Sequence, residues 1–450
     1  MNSQTIKQEI NSYKFPIFSN KKIESKILLD KSNEIFHENN KSNKNILFTN
    51  ISENKNININ LIKSKIQNLN EFLFFNVSQR KKRIIGIDIA RIISAFFIIN
   101  HHLIYHGLPS FITKNLSFRN KLLLFLNTIF CSGVTIFGMI SGFVGFNSYN
   151  YANLIYLLFQ TSFYNIFIRM YYKKSKANIE LDLYHLVFPV FMSGYWYFKE
   201  YFSLYFFLPL INSGIKSLEM REIGRLNLSL FLLFSCFNQI KHYSLRFRKD
   251  IFYLSNGFSY MWLIILYIFG SYFGRFNYVS HNYNKYITFF ICLSVILSAS
   301  FLRNQIIIYK IEHNNHVNKM IIEYTSPSSV IISICSIILF SKLNVVSIVI
   351  KKLISFFAPL TYGIYLIHSH GLVLRYFFKN KYSPLLKHST HKLILLELFE
   401  SLKIFFFSSF ADYLRLVLFK IFRIRQIAIY ISNFISYLFV KILIIFEKFY

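Results

Sequence analysis

The chain has 450 residues, of which 54% are hydrophobic and only 16% charged, with a mean hydropathy of +0.37. A soluble domain carries about a quarter charged residues, so the deficit excludes an ordinary soluble globular protein and points to the membrane. The formal net charge of +31 does not mark a nucleic-acid binder, because the basic residues are spread over tail and loops rather than gathered on one soluble domain. An A/T-rich coding sequence, expressed as an excess of Lys, Asn, Ile, Phe and Tyr, accounts for part of that charge, which still favours anionic headgroups and phosphate-bearing small molecules.

Residues 1 to about 80 are polar, rich in Asn, Lys and Ser, and show no sustained period. Such a segment cannot bury enough apolar surface to offset its ordering entropy, so a disordered tail is expected. No signal peptide is expected, since the first long apolar stretch begins near Ile84. The tail closes on Arg80-Lys81-Lys82-Arg83, a basic run that assigns it to the cytoplasmic side. Lys173, Lys174 and Lys176, and Arg246, Arg248 and Lys249, dilute that bias, because loops on both sides are basic.

Apolar runs near 84–106, 121–146, 153–172, 195–213, 226–240, 257–277, 284–302, 327–347, 353–377 and 393–420 then alternate with short polar loops. A bilayer span needs about 20 apolar residues as a helix, and the runs are continuous rather than alternating with period two, which argues against a β-barrel. The expected fold is an all-α integral membrane bundle of about ten transmembrane helices over 81–424, without internal repeats of the transporter kind. Residues 425–450 mix Ile, Phe and Tyr with Arg425, Lys441 and Lys448 and read as an interfacial amphipathic helix or an additional span. Cys131, Cys236, Cys292 and Cys335 each sit inside an apolar run, which favours buried thiols over a disulfide framework or a metal site.

The first span carries the chemistry. An arginine within a span costs roughly 2.5–3.5 kcal/mol on insertion scales, and such residues face the protein interior. Arg91 and His102 are eleven positions apart, close to three helical turns and about 16 Å of rise, so they share one face. Asp88, Ala95 and Ile98 lie on the same stripe, and Asp88 is placed to pair with Arg91. One reading is a substrate channel, with Arg91 meeting an anionic group or polarising a carbonyl and His102 taking a proton near neutrality. The other is a buried ion pair beside a histidine bonded to backbone.

These residues resemble a known family. Asp88-x-x-Arg91 followed by Arg91-x10-His102 is similar to the first-span signature of the acyltransferase family 3 membrane proteins. The resemblance continues in order through Phe137-x3-Ser141-Gly142-Phe143, Tyr195-Trp196-Tyr197-Phe198 with Tyr205 and Pro209, and Gly257-Phe-Ser-Tyr-Met-Trp262 with Tyr267 and Gly270. It ends with Tyr324-Thr-Ser326-Pro327, Tyr362-Gly363-Ile-Tyr365-Leu-Ile-His368 and Asp412-Tyr-Leu-Arg415, and covers roughly 83–425. Thr361 stands where the family usually has Ser, Lys199-Glu200 interrupts the aromatic span, and the long tail is foreign.

The resemblance implies that Arg91 and His102 are essential for acyl transfer, with acetyl-CoA or another acyl-CoA as donor substrate and no tightly bound cofactor. The most similar subgroup acetylates surface polysaccharides, which implies a carbohydrate acceptor alongside membrane lipids as partners. Asp88, Ser141, Trp196, Tyr365 and His368 are candidate substrate-binding residues. Each has a plainer role as well: Ser141 in close helix packing, Trp196 in an interfacial aromatic belt, His368 as a bonded core histidine. Lys199-Glu200 reads as a pair at the membrane edge or as part of the acceptor pocket. The rival functions are a transporter or flippase for lipid-linked glycans and an inactive membrane scaffold.

Overall fold

The computed structural model describes residues 83–108, 116–147, 149–175, 194–242, 250, 252–276, 284–313 and 322–446. The expected disordered tail and the basic run up to Lys82 lie outside them. Among the described residues all regular structure is helical, the outcome that apolar runs in a bilayer impose, because only a helix satisfies its backbone groups internally.

In chain order the helices are α1 (Ile85–His102), α2 (Phe118–Gly145), α3 (Tyr151–Ser175), α4 (Trp196–Ser217), α5 (Met220–Phe231), α6 (Tyr260–Arg275), α7 (Lys285–Glu312), α8 (Pro327–Ser341), α9 (Ile348–Phe357), α10 (Thr361–His368), α11 (Thr390–Ile421) and α12 (Ile424–Phe446). Polar side chains start several of them. Ser117, Ser259 and Ser326 accept from the third backbone N–H beyond, and Asn284 from Tyr286 N–H, each satisfying an orphan donor of the first turn. Glu219 and Glu222 close a capping box on α5.

Among the described residues, four helical stretches are long and apolar enough to cross a membrane, by length and composition: Ile85–Gly107, Phe118–Gly145, Lys285–Glu312 and Ile348–His368. Pro327–Ser341 is apolar but shorter. The apolar window of α2 is 78% buried and that of α7 only 17%, so α2 is a central helix and α7 faces outward. The run expected as one span over 353–377 is broken. A 3-10 turn at Ala358–Leu360 carries Pro359, which lacks the N–H that a continuous helix needs. A second break follows at residues 369 and 370, where His370 Nδ1 accepts from Leu372 N–H at 3.1 Å. The expected window 226–240 likewise starts as α5 and changes to π geometry over Leu232–Cys236 and 3-10 over Phe237–His242.

Two features hold the centre together. The first is a close crossing of α2 with α6. A Cβ at Gly142 would collide with the Tyr267 carbonyl, one at Gly270 with the Met139 carbonyl, and one at Gly274 with the Phe143 carbonyl. Gly138-x3-Gly142 meets Gly270-x3-Gly274, the small-residue spacing that lets two membrane helices bring their backbones into contact. The second is a buried ion pair. Arg415 donates from Nε and Nη2 to both Asp412 oxygens at 2.9 and 2.8 Å. Tyr164 and Gln160 of α3 donate to the same carboxylate at 2.7 and 3.2 Å. The carboxylate packs against Gly363 of α10, where any side chain would overlap it. This knot ties α3, α10 and α11 together and thereby sets where α10 presents its inward residues.

Candidate active site

Helix α1 turns Asp88, Ala95, Ile98 and His102 inward, all of them buried. Its polar residues are largely absorbed locally: Ser94 donates to the Ala90 carbonyl and Asn100 to the Phe96 carbonyl, both at 2.7 Å, the back-bonding expected of such side chains within a helix. Beyond His102 the helix loosens into a π turn, Leu103–Gly107, a geometry often found at functional sites. The carbonyls of His106 and Gly107 are taken up by the N–H groups of Asn380 and Tyr382, which anchors the end of α1.

At the entry side, Asp88 receives Arg91 at 3.1 Å and also pairs with Arg83. A buried carboxylate thus holds two arginines, and the Arg91 side chain stays 26% exposed. Two cations sharing one carboxylate leave a local excess of positive charge, suited to an anionic group.

Deeper in, a cavity of about 20 Å³ is lined by residues of five segments: Ala95, Ile98 and His102 of α1; Val134 and Phe137 of α2; Trp196 and Tyr197 of α4; Tyr324; and Thr361 and Tyr365 of α10. That volume admits one water-sized group. Trp196 stacks on Tyr324, with ring centroids 5.7 Å apart and planes 15° from parallel. Tyr324 is pinned from behind: its N–H donates to the Asn256 carbonyl at 3.0 Å. Gly257, at φ +101°, has no Cβ where a Cβ would run into the Tyr324 side chain. Glycine is required there twice over, for the left-handed backbone and for the close approach.

His102 is the histidine of this lining, and three others in this part of the fold have hydrogen-bond partners. His101 Nδ1 donates to Asn127 Oδ1 of α2 at 2.8 Å. His368 Nδ1 donates to the Ile364 carbonyl at 2.6 Å, which leaves Nε2 to accept from Ser369 Oγ at 3.2 Å. His370 accepts from Leu372 N–H on Nδ1 and donates from Nε2 to Asn165 Oδ1 at 3.3 Å. The exception is His102. Its Nδ1 is buried and makes no hydrogen bond, while its ring lies 5.2 Å from that of His368 and 5.6 Å from that of His106. A buried polar atom without a partner is costly and calls for an explanation, a catalytic role among them.

Of the residues singled out from sequence, His102, Trp196 and Tyr365 line the cavity, and His368 stands beside His102. Asp88 and Arg91 form the separate charged cluster nearer the start of α1. Ser141 does not line the cavity; its hydroxyl donates to the Phe137 carbonyl at 3.2 Å, next to the glycines of the α2–α6 crossing. Lys199 and Glu200 pair with each other at 3.8 Å, with Lys199 56% exposed. Tyr197, Tyr324 and Thr361 line the cavity without having been chosen as site residues. All three fall inside or beside the segments that carry the family resemblance, and that was the signal available for them.

No curated protein and no solved structure matches the chain. A family model does: that of acyltransferase family 3, described as an acyltransferase domain, matches residues 84–444. The match takes in Asp88, Arg91, His102 and every residue that lines the cavity, and the chain belongs to the acyltransferase family 3.

Proposed function

We propose that this membrane acyltransferase moves an acetyl-type group from acyl-CoA to a hydroxyl of a glycan or other surface carbohydrate. The observation that carries the reading is the free Nδ1 of His102, buried on the wall of a cavity that also presents a stacked Trp–Tyr pair. A neutral imidazole without a partner is suited to take the proton of an attacking hydroxyl. Beside the Trp196–Tyr324 pair the cavity takes one hydroxyl-sized group, which suits the attacking hydroxyl of a sugar. The Arg83–Asp88–Arg91 cluster supports an anionic donor: Asp88 orients Arg91, and Arg91 holds a phosphate of CoA. His368, adjacent to His102, helps to set the orientation of that ring. Ser141 is assigned to helix packing.

The test is turnover of labelled acetyl-CoA by the purified full-length chain in nanodiscs, with a mixed glycan pool as acceptor. His102→Ala is expected to lower kcat by about 10²–10⁴-fold, the usual contribution of a general base, while the protein still inserts and folds. Arg91→Ala is expected to raise KM for acetyl-CoA. Undiminished turnover in His102→Ala would remove the base from the mechanism, and an inactive but folded wild type would remove the acyl-transfer reading for these substrates.

A further inference from the structure

An acyl donor is selected by the space its chain finds next to the reacting carbon. That carbon has to reach the attacking hydroxyl, and therefore comes beside His102. The cavity there measures about 20 Å³, room for one water-sized group. Whatever else the donor brings must fit against the walls or push them back. The walls differ in character. The tyrosines, Trp196 and Thr361 each carry a polar group, whereas Ala95 and Ile98 of α1 and Val134 and Phe137 of α2 offer carbon alone. Beyond its carbonyl an acyl chain has only carbon to bury, so the α1–α2 side is the wall that suits it.

Two observations make this wall a stop rather than a cushion. The first is the close approach of α1 and α2 behind it. A Cβ on Gly133 of α2 would stand 2.8 Å from the Ser94 carbonyl oxygen and 3.2 Å from Cγ1 of Ile98. Ile98 is thus seated against the α2 backbone and has no space to retreat into on that side. Ala95, Ile98 and Val134 are all buried, and the two β-branched side chains hold one strongly preferred rotamer in a helix. The second is Phe137. It follows Val134 by three positions, so the two are neighbours on one face of α2. Its ring stands edge-on to Tyr197, with centroids 6.0 Å apart and planes at 84°, and it is only partly buried. Of the four apolar residues, it is the bulky one that lies outside the tight part of the helix crossing.

We propose that Ile98, Val134 and Phe137 form an acyl-chain stop that limits the donor to acetyl-CoA, with Phe137 setting the length. This rests on the acyl-transfer reading above and names the group transferred. An acetyl group brings a single methyl to the wall. Each longer chain adds methylenes that have to displace packed side chains, and overpacking a wall that cannot relax is unfavourable. Replacing the Phe137 ring by a methyl leaves a void beside the cavity, and a longer chain fills it. Selectivity of this kind is read as the ratio of kcat/KM between donors.

The experiment compares acetyl-, propionyl- and butyryl-CoA with wild type, Phe137→Ala and Phe137→Leu, each as full-length protein in nanodiscs with a fixed glycan pool, and records thermal unfolding for each. Wild type is expected to favour acetyl-CoA over propionyl-CoA by about 10–200-fold in kcat/KM, the range that one methylene is worth in an apolar pocket, and to use butyryl-CoA less well still. In Phe137→Ala, kcat/KM for butyryl-CoA is expected to rise above the wild-type value, and the acetyl-to-butyryl ratio to fall about tenfold. A merely structural loss would lower all three donors together and leave that ratio where it was. A wild type that uses butyryl-CoA as well as acetyl-CoA, or a ratio in Phe137→Ala within about threefold of wild type, overturns the stop and leaves acyl transfer standing. A folded wild type that turns over none of the donors overturns both. If Phe137→Ala does not fold, Phe137→Leu decides the matter, since it keeps an apolar side chain and removes part of the ring volume: a lowered acetyl-to-butyryl ratio supports the proposal, and an unchanged one overturns it.

Discussion

Asp412 has no exposed surface and takes hydrogen bonds from Arg415, Tyr164 and Gln160. Removing one partner of a fully buried pair strands the other charge, at about 3–5 kcal/mol. Asp412→Ala is therefore expected to lower the thermal unfolding midpoint sharply in detergent, and to lower activity as well, because α10 loses its support. An unfolding midpoint equal to wild type would show that Arg415 finds another partner. This pair was legible only as a local spacing, Asp412-x-x-Arg415; its partners on α3 are more than 240 positions away in the chain, and no periodicity reports such contacts. The first span was far more readable. Arg91 and His102 obey one helical period, and the charge on Arg91 in an apolar run announces itself. Tyr197 and Tyr324 were less so, since one aromatic among 31 Tyr and 53 Phe carries little information until the fold brings it to a cavity. Likewise a free histidine cannot be told from a bonded one by sequence: His101 and His102 are neighbours, yet only His101 finds Asn127.

Helix–helix contact in a membrane depends on shape, because lipid tails are as apolar as the side chains they compete with. The α2–α6 crossing makes this concrete, since backbone atoms of each helix occupy the place of a side chain on the other. Gly270→Leu is expected to force the two helices apart and leave little monodisperse protein after size-exclusion chromatography. Gly214→Ala, at a position where a Cβ meets nothing within 4 Å, is the matched control and should purify as wild type. Equal yields from the two would mean that the crossing is not a constraint. At this scale the sequence was informative about where helices occur, because apolar runs and polar loops alternate clearly. It was less informative about continuity. Pro359 breaks the run from 353 to 377 in a way that residue counting passes over, and the π turn after His102 leaves no compositional trace. Both irregularities lie next to the cavity: the first sets the start of α10 with Thr361 and Tyr365, and the second follows His102 directly.

The remaining question of architecture is how many times the chain crosses the bilayer, and α12 decides it. This helix turns Ala428, Ser432 and Ser436 inward, and it packs along α3. Its other faces expose Ile427, Tyr430, Phe434, Ile435, Phe439 and Ile442. An interfacial helix keeps one polar face for water, whereas here the small polar residues are turned to the protein and the apolar ones outward on several sides. Its 23 residues rise about 34 Å, enough for a hydrocarbon core of about 30 Å. We therefore favour the additional span over the interfacial helix for 425–450. On the sequence expectation of ten crossings up to 420, α12 would make eleven, whereas four stretches among the described residues reach the length and apolarity of a span. An odd number would put the two ends of the chain on opposite faces, the first of them cytoplasmic on the expectation from the basic run at 80–83. Tags fused before Met1 and after Tyr450 are accordingly expected to differ in accessibility: in sealed cells only the C-terminal tag reacts with an impermeant probe, and permeabilisation exposes the other. If both tags stay hidden until permeabilisation, the count is even and α12 lies in the interface. His102, about three turns into α1 from Arg91, would then keep its depth in the membrane, because that depth is set by α1 alone and not by the last helix.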